Sequence, residues 1–122
     1  MGYKIFILDD DENACKLAER VLTEAGYQVM SRTQAIGTTV SISAFQPDLV
    51  LLDLMMPALP GEAVIGILDQ HMKPRPKIVL FSNKSTQELR AIAEKNKVEG
   101  YVCKADGFSA LLKAVRGALA QA

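Results

Sequence analysis

The sequence predicts an α/β protein, a parallel sheet wound on both faces by helices. Three observations carry that prediction. Short apolar runs recur five times, at residues 3–8, 27–31, 48–53, 77–82 and 100–104. The stretches between them repeat apolar residues at helical spacing. The inner runs are apolar without alternation, as strands covered on both faces must be.

"YKIFIL" is a first strand, short and apolar. "ENACKLAERVLTEAG" follows as a helix whose Ala14, Leu17, Ala18, Val21, Leu22 and Ala25 share one face, with Gly26 as a left-handed cap. "YQVMS" is the second strand. Residues 34–45, "QAIGTTVSISAF", are helical by position but form the weakest helix, because Gly37, the β-branched residues and the serines all disfavour it. "DLVLLD" is the third strand, between Pro47 and Pro57. Residues 61–72 form a helix with Val64, Ile65 and Leu68 on one face, and "KIVLFS" is the fourth strand. Residues 85–96 open with "STQE", a Ser-x-x-Glu capping box at the start of a helix. "GYVCK" is the fifth strand. A last helix over residues 108–120 presents Phe108, Leu111, Leu112, Val115 and Leu119 as its core stripe.

Composition narrows the class. A chain of 122 residues can bury one core without staples, so a single domain over residues 1–122 is expected. Lys and Arg number 14 against 14 Asp and Glu, which gives no electrostatic case for nucleic acid or an anionic membrane. No apolar run approaches bilayer length, and the N-terminus lacks the form of a signal peptide. Cys15 and Cys103 read as two buried, reduced thiols, which points to the cytoplasm. His71 stands alone in polar sequence and reads as a surface residue, too few ligands for zinc.

The stretch "VLLDLMMP" raises the functional question. Burying an ionised carboxylate is costly, so Asp53 either caps a turn or sits in a pocket built for charge. In open α/β sheets ligands bind beyond the carboxyl ends of the strands. Those ends carry Asp9 and Asp10, then Asp53, then Ser82, then Lys104. Any one of them is an ordinary cap, turn former or surface charge. Together they are different. If strands one and three are neighbours, roughly 5 Å apart, three carboxylates converge on one crevice. Hard oxygen donors of that kind suit Mg²⁺, while a hydroxyl and an ammonium suit an anion. The crevice reads as a site for a metal and a phosphoryl group. Asp11 and Glu12 are set aside, since acidic residues favour the first turn of any helix.

"ILDDDE", "LLDLMMPALPG", "VLFS" and "GYVCK" stand in an order and spacing that resemble the receiver domain of bacterial two-component response regulators, over essentially the whole chain. The resemblance implies a flavodoxin-like sheet of order 2-1-3-4-5. It implies Asp53 as phosphoacceptor, with Asp9, Asp10, Asp53 and the backbone carbonyl of Met55 holding Mg²⁺. Ser82 fills the family's hydroxyl position, Tyr101 its switch aromatic, and Lys104 the lysine that pairs with the acidic cluster or the phosphoryl group. The implied partners are a sensor histidine kinase or histidine phosphotransfer protein, and a downstream protein at the face of helix four, strand five and helix five. Such a domain signals rather than turning over substrate, though it can dephosphorylate itself slowly. Four departures stand out. Ala105 follows Lys104 where the family typically has proline, and "KADGFS" reads as a longer loop with a turn at Asp106-Gly107. Pro60 replaces a common acidic residue, and Met55 and Lys84 flank the pocket where polar residues can position a hydrolytic water. A cis bond before a non-proline residue costs about 2.5–4 kcal/mol, so Lys104–Ala105 is expected trans. Two other functions fit part of the pattern. One is a phosphorylation-independent pseudo-receiver that only binds proteins. The other is a haloacid-dehalogenase-like phosphatase, which needs an Asp where Met55 stands.

Overall fold

The computed structural model describes residues 2–34 and 36–121. Strands β1 (Lys4–Leu8), β2 (Gln28–Arg32), β3 (Leu49–Leu52), β4 (Lys77–Ser82) and β5 (Gly100–Cys103) form one parallel sheet in the order β2-β1-β3-β4-β5. Helices α1 (Glu12–Glu24), α2 (Thr38–Phe45), α3 (Gly61–His71), α4 (Thr86–Asn96) and α5 (Gly107–Leu119) connect and flank it.

Side-chain alternation divides the core in two. Phe6, Leu8, Val50, Leu52, Ile78 and Leu80 point to the face covered by α2, α3 and α4. Their neighbours Ile5, Ile7, Leu49, Leu51, Val79 and Phe81 point to the face covered by α1 and α5. Both sets are buried, which is why the inner strands read as unbroken apolar runs. Fully burying each large side chain contributes about 1.5–3 kcal/mol, enough to fix the register. That register sets Leu8, Leu52, Leu80 and Tyr101 in one row across the sheet, and β4 and β5 pair for two residues beyond it, to Ser82 and Cys103.

Local differences from expectation have local causes. α2 begins at Thr38, because Gly37 sits at φ 79 and interrupts the helix expected from residue 34; Ala35 lies outside the described residues. The inward stripe of α1 is Cys15, Ala18 and Leu22, while Leu17 is 50% exposed, one position round from the core. Ala25 is the C-cap of α1, and Gly26 takes the left-handed φ of 100 one residue later. Ser85 is the N-cap of α4 rather than its first residue; its Oγ accepts from Glu88 N at 3.2 Å and its own N–H donates to Glu88 Oε1 at 3.3 Å. α3 ends at His71, which is exposed as its polar surroundings suggested. Cys103 is half-buried rather than buried. No helix among the described residues is long and apolar enough to cross a membrane.

Candidate functional site

The carboxyl edge of β1 and β3 is where polar residues enter the core. Backbone hydrogen bonding runs one residue past the strands: Asp9 N–H donates to Arg32 O at 3.2 Å and Asp53 N–H to Leu8 O at 3.0 Å. These bonds hold Asp9 and Asp53 side by side, 3% and 5% exposed, while Asp10 faces solvent. Carboxylate oxygens of Asp9, Asp10 and Asp53 lie within 4.8 Å of one another.

Each buried carboxylate is satisfied on both oxygens. Asp9 Oδ1 accepts from Asp11 N at 3.0 Å, and Asp9 Oδ2 meets Lys104 Nζ at 2.7 Å. Asp53 Oδ1 accepts from Met55 N at 3.1 Å, and its Oδ2 lies 3.5 Å from the same ammonium. Asp53 therefore caps a turn and sits in a charged pocket, so the two alternatives raised by "VLLDLMMP" both hold. Burial pushes the Asp9 carboxyl above its usual range, with the Asp53 charge adding to that; the bonds from Lys104 and Asp11 oppose it but do not win. Burial alone would draw the Lys104 ammonium down, yet the Asp9 hydrogen bond and the two carboxylate charges together raise it. Three carboxylates against one ammonium leave a local excess of negative charge. Oxygen donors with that excess fit a hard divalent cation such as Mg²⁺.

Lys104 reaches the cluster along a compact path. The Lys104–Ala105 bond is trans, since the cis bond among the described residues is Lys73–Pro74. The expected long loop is one 3-10 turn, Lys104–Asp106, after which Gly107 at φ 85 starts α5 directly. Asp106-Gly107 is thus a helix entry and not a free turn. The Lys104 side chain is 13% exposed.

The remaining residues lie along β4 and β5. Ser82 ends β4, is fully buried, and its Oγ has one long contact, from Lys84 N at 3.5 Å. Tyr101 is half-buried on the α4 side of β5, and its hydroxyl accepts from Arg90 Nε at 3.1 Å. Met55 shows its side chain to solvent beside Asp53, and Lys84 pairs loosely with Glu88 at 4.0 Å. Asp11 is the N-cap of α1, its Oδ1 accepting from Asn13 and Ala14 N–H at 3.0 and 3.2 Å, which accounts for its charge structurally.

Sequence reasoning missed two contributors. Gly61 starts α3 against the backbone that follows Asp53: a Cβ there would meet Leu54 Cα at 2.9 Å and Asp53 O at 3.2 Å. Cys15 donates its thiol to Asp9 O at 3.2 Å, and burial pushes it up to about 12. Gly61 was visible as the residue after "MMPALP"; nothing in the sequence distinguishes Cys15 from a small core residue.

The parallel sheet of order 2-1-3-4-5, with an acidic cluster, a lysine and a buried hydroxyl at its carboxyl edge, is a flavodoxin-like α/β domain. The model for the response regulator receiver domain matches residues 5–116, and the chain belongs to that family. It is 30% identical over 109 residues to the transcriptional regulatory protein YrkP of Bacillus subtilis, covering 88% of this chain and 42% of that protein. It is 35% identical over 89 residues to the nisin biosynthesis regulatory protein NisR of Lactococcus lactis, covering 72% of this chain and 38% of that protein. The chain thus spans about two fifths of the length of these curated relatives. The crystal structure of a response regulator signal receiver domain from Bermanella marisrubri superposes with a TM-score of 0.85 at 28% identity, over 98% of this chain and 99% of that one. Domains of this family belong to two-component systems, signal rather than turn over substrate, work with sensor kinases, and generally use Mg²⁺ in an acidic pocket.

Proposed function

We propose that this chain takes a phosphoryl group onto Asp53 from a partner's phosphohistidine and passes the change to a protein-binding surface. The observation that carries the reading is one ammonium shared by two buried carboxylates, Lys104 Nζ at 2.7 Å from Asp9 and 3.5 Å from Asp53, with Asp10 beside them. A buried salt bridge is poor value as a stabiliser, because desolvation offsets its attraction. A cluster with more acid than base is poorer still, and that points to a function.

In this reading an Asp53 oxygen attacks phosphorus; the O–P bond forms as the P–N bond breaks, and the electron pair returns to the imidazole. Phosphoryl transfer asks mostly for positioning and charge neutralisation. Lys104 moves from the carboxylate pair toward the equatorial oxygens. The Met55 N–H bonds Asp53 Oδ1, so Oδ2, 3.5 Å from Lys104 Nζ, is the oxygen that attacks once the ammonium shifts. Asp9, Asp10, Asp53 and the Met55 carbonyl would hold Mg²⁺, which supplies positive charge to the phosphoryl oxygens. Ser82, whose hydroxyl makes only a 3.5 Å contact, turns to donate to a phosphoryl oxygen. The loop after β4 follows, Tyr101 leaves Arg90 for the space opened, and the surface of α4, β5 and α5 changes by population shift. The domain extends over the whole chain, and slow loss of the group by hydrolysis is its reset.

Backbone NMR of the protein with Mg²⁺, before and after beryllofluoride, tests this reading. Shifts should spread from the pocket into α4, β5 and the start of α5, and Ser82→Ala should keep the pocket shifts while losing most distal ones. No response to beryllofluoride would leave the phosphorylation-independent interaction module as the correct reading.

A further inference from the structure

We infer that Phe81 is a positioning residue for the site: its ring face, backed by Phe108, holds the Lys104 ammonium against Asp9 and Asp53. The register makes this possible. Leu8, Leu52 and Leu80 share a row, so the next residues, Asp9, Asp53 and Phe81, fall in the row above. Phe81 belongs to the core on the α1 and α5 side, the side from which Lys104 reaches in. Lys104 Nζ lies over the Phe81 ring, 5.7 Å from its centroid. The ring is 4% exposed, and Phe108 packs on it with centroids 5.9 Å apart at 55°.

The chemistry explains why a ring serves here. An ammonium has three N–H donors and accepts nothing. Two face Asp9 and Asp53; a further carboxylate would add negative charge to an acidic cluster, and a carbonyl would occupy the third donor that a phosphoryl oxygen can take. An aromatic face attracts the charge without consuming a donor, and burial strengthens that attraction. Lys104 is the first residue of a three-residue 3-10 turn, Lys104–Asp106. Gly107 at φ 85 sends the chain straight into α5, which brings Phe108 back onto Phe81. The lysine is fixed by side-chain packing rather than by its own loop.

Its functional consequence rests on the phosphoacceptor reading above, and the test separates the two. Phe81 is replaced in the full chain by mono-, di- and trifluorinated phenylalanine, which withdraw charge from the ring face at nearly constant shape. Uptake of a phosphoryl group from acetyl phosphate with Mg²⁺ should slow stepwise, by about threefold in total, with no fall in Tm. In the unmodified protein the Lys104 Hε proton signals should lie upfield of free lysine through the ring current, and Phe81→Leu should remove that displacement. Rates that stay flat across the fluorinated series, or Lys104 Hε signals without the upfield displacement, overturn the inference. If the unmodified protein takes up no phosphoryl group, the phosphoacceptor reading fails instead, and the Hε displacement alone decides the position of the ammonium.

Discussion

Replacing Lys104 by methionine removes the positive charge of the cluster while keeping an unbranched apolar stem against Phe81. Two buried carboxylates then lose their shared partner, Asp9 at 2.7 Å and Asp53 at 3.5 Å. Breaking a buried ion pair by deleting one member costs about 3–5 kcal/mol. Two relaxations reduce the loss. Burial already holds the Asp9 carboxyl above its ordinary 3.8, so it takes up a proton readily, and the exposed Asp10 leaves the cluster open to counterions on one side. A net loss of about 2 kcal/mol at neutral pH follows, or about 6–12 °C in Tm for a chain of this length. The pH dependence has a definite sign. Lys104 is raised above 10.5 in the folded protein, so its contribution is complete below that value and is lost as pH rises through the folded pKa. Asp9 is raised too, so the folded state binds its proton more tightly than the unfolded chain, and acidification offsets the missing ammonium. Thermal melts of both proteins by circular dichroism should show the gap narrowing as pH falls from neutrality. Added Mg²⁺ should raise the variant's Tm more than the parent's, because the competing ammonium is gone. A variant within about 1 °C of the parent at every pH, the behaviour of an exposed pair, would show that Lys104 is not a buried partner of the two carboxylates.

Three further outcomes are expected. Gly61→Ala forces a Cβ to 2.9 Å from Leu54 Cα, so overpacking should cost about 1–3 kcal/mol in urea unfolding and shift the NMR signals of Asp53 and Leu54; an unchanged midpoint would show that α3 moves away freely. Ser85→Ala removes the cap of α4 and should cost about 1 kcal/mol, with hydrogen exchange rising in the first turn of that helix and not in α3. Native alkylation with iodoacetamide should modify the half-buried Cys103 first and spare Cys15, whose thiol is buried and pushed up to about 12; peptide mapping that finds Cys15 modified first contradicts its placement.

Much of this architecture could be read from residue order. Strands with both faces covered leave unbroken apolar runs such as "VLLD", and the four polar residues at their ends are conspicuous against that background. Parallel strands then bring Asp9, Asp53, Ser82 and Lys104 to one edge. What escaped reading depends on side-chain direction and on single backbone angles. The start of α2 turns on Gly37 adopting φ 79, which periodicity does not encode. Leu17 belongs to the apolar set of α1 by type, but its angle round the helix carries it to solvent while Cys15 takes the inward place. Phe81 reads as plain core in "KIVLFS", because its contact with Lys104 joins a β4 residue to the first residue of the 3-10 turn after β5 and depends on the path of that turn. The double role of Asp53, turn cap on one oxygen and ion pair on the other, also needs coordinates.

In the proposed function Asp53 is the residue that carries the phosphoryl group. Peptide mass spectrometry of the protein after acetyl phosphate and Mg²⁺ tests it most directly, with borohydride reduction to mark the acyl phosphate. One phosphoryl group per chain is expected, on Asp53, absent without Mg²⁺ and absent in Asp53→Asn. A group found on Ser82, Asp9 or Asp10 of the unmodified chain, or undiminished labelling in Asp53→Asn, would contradict it.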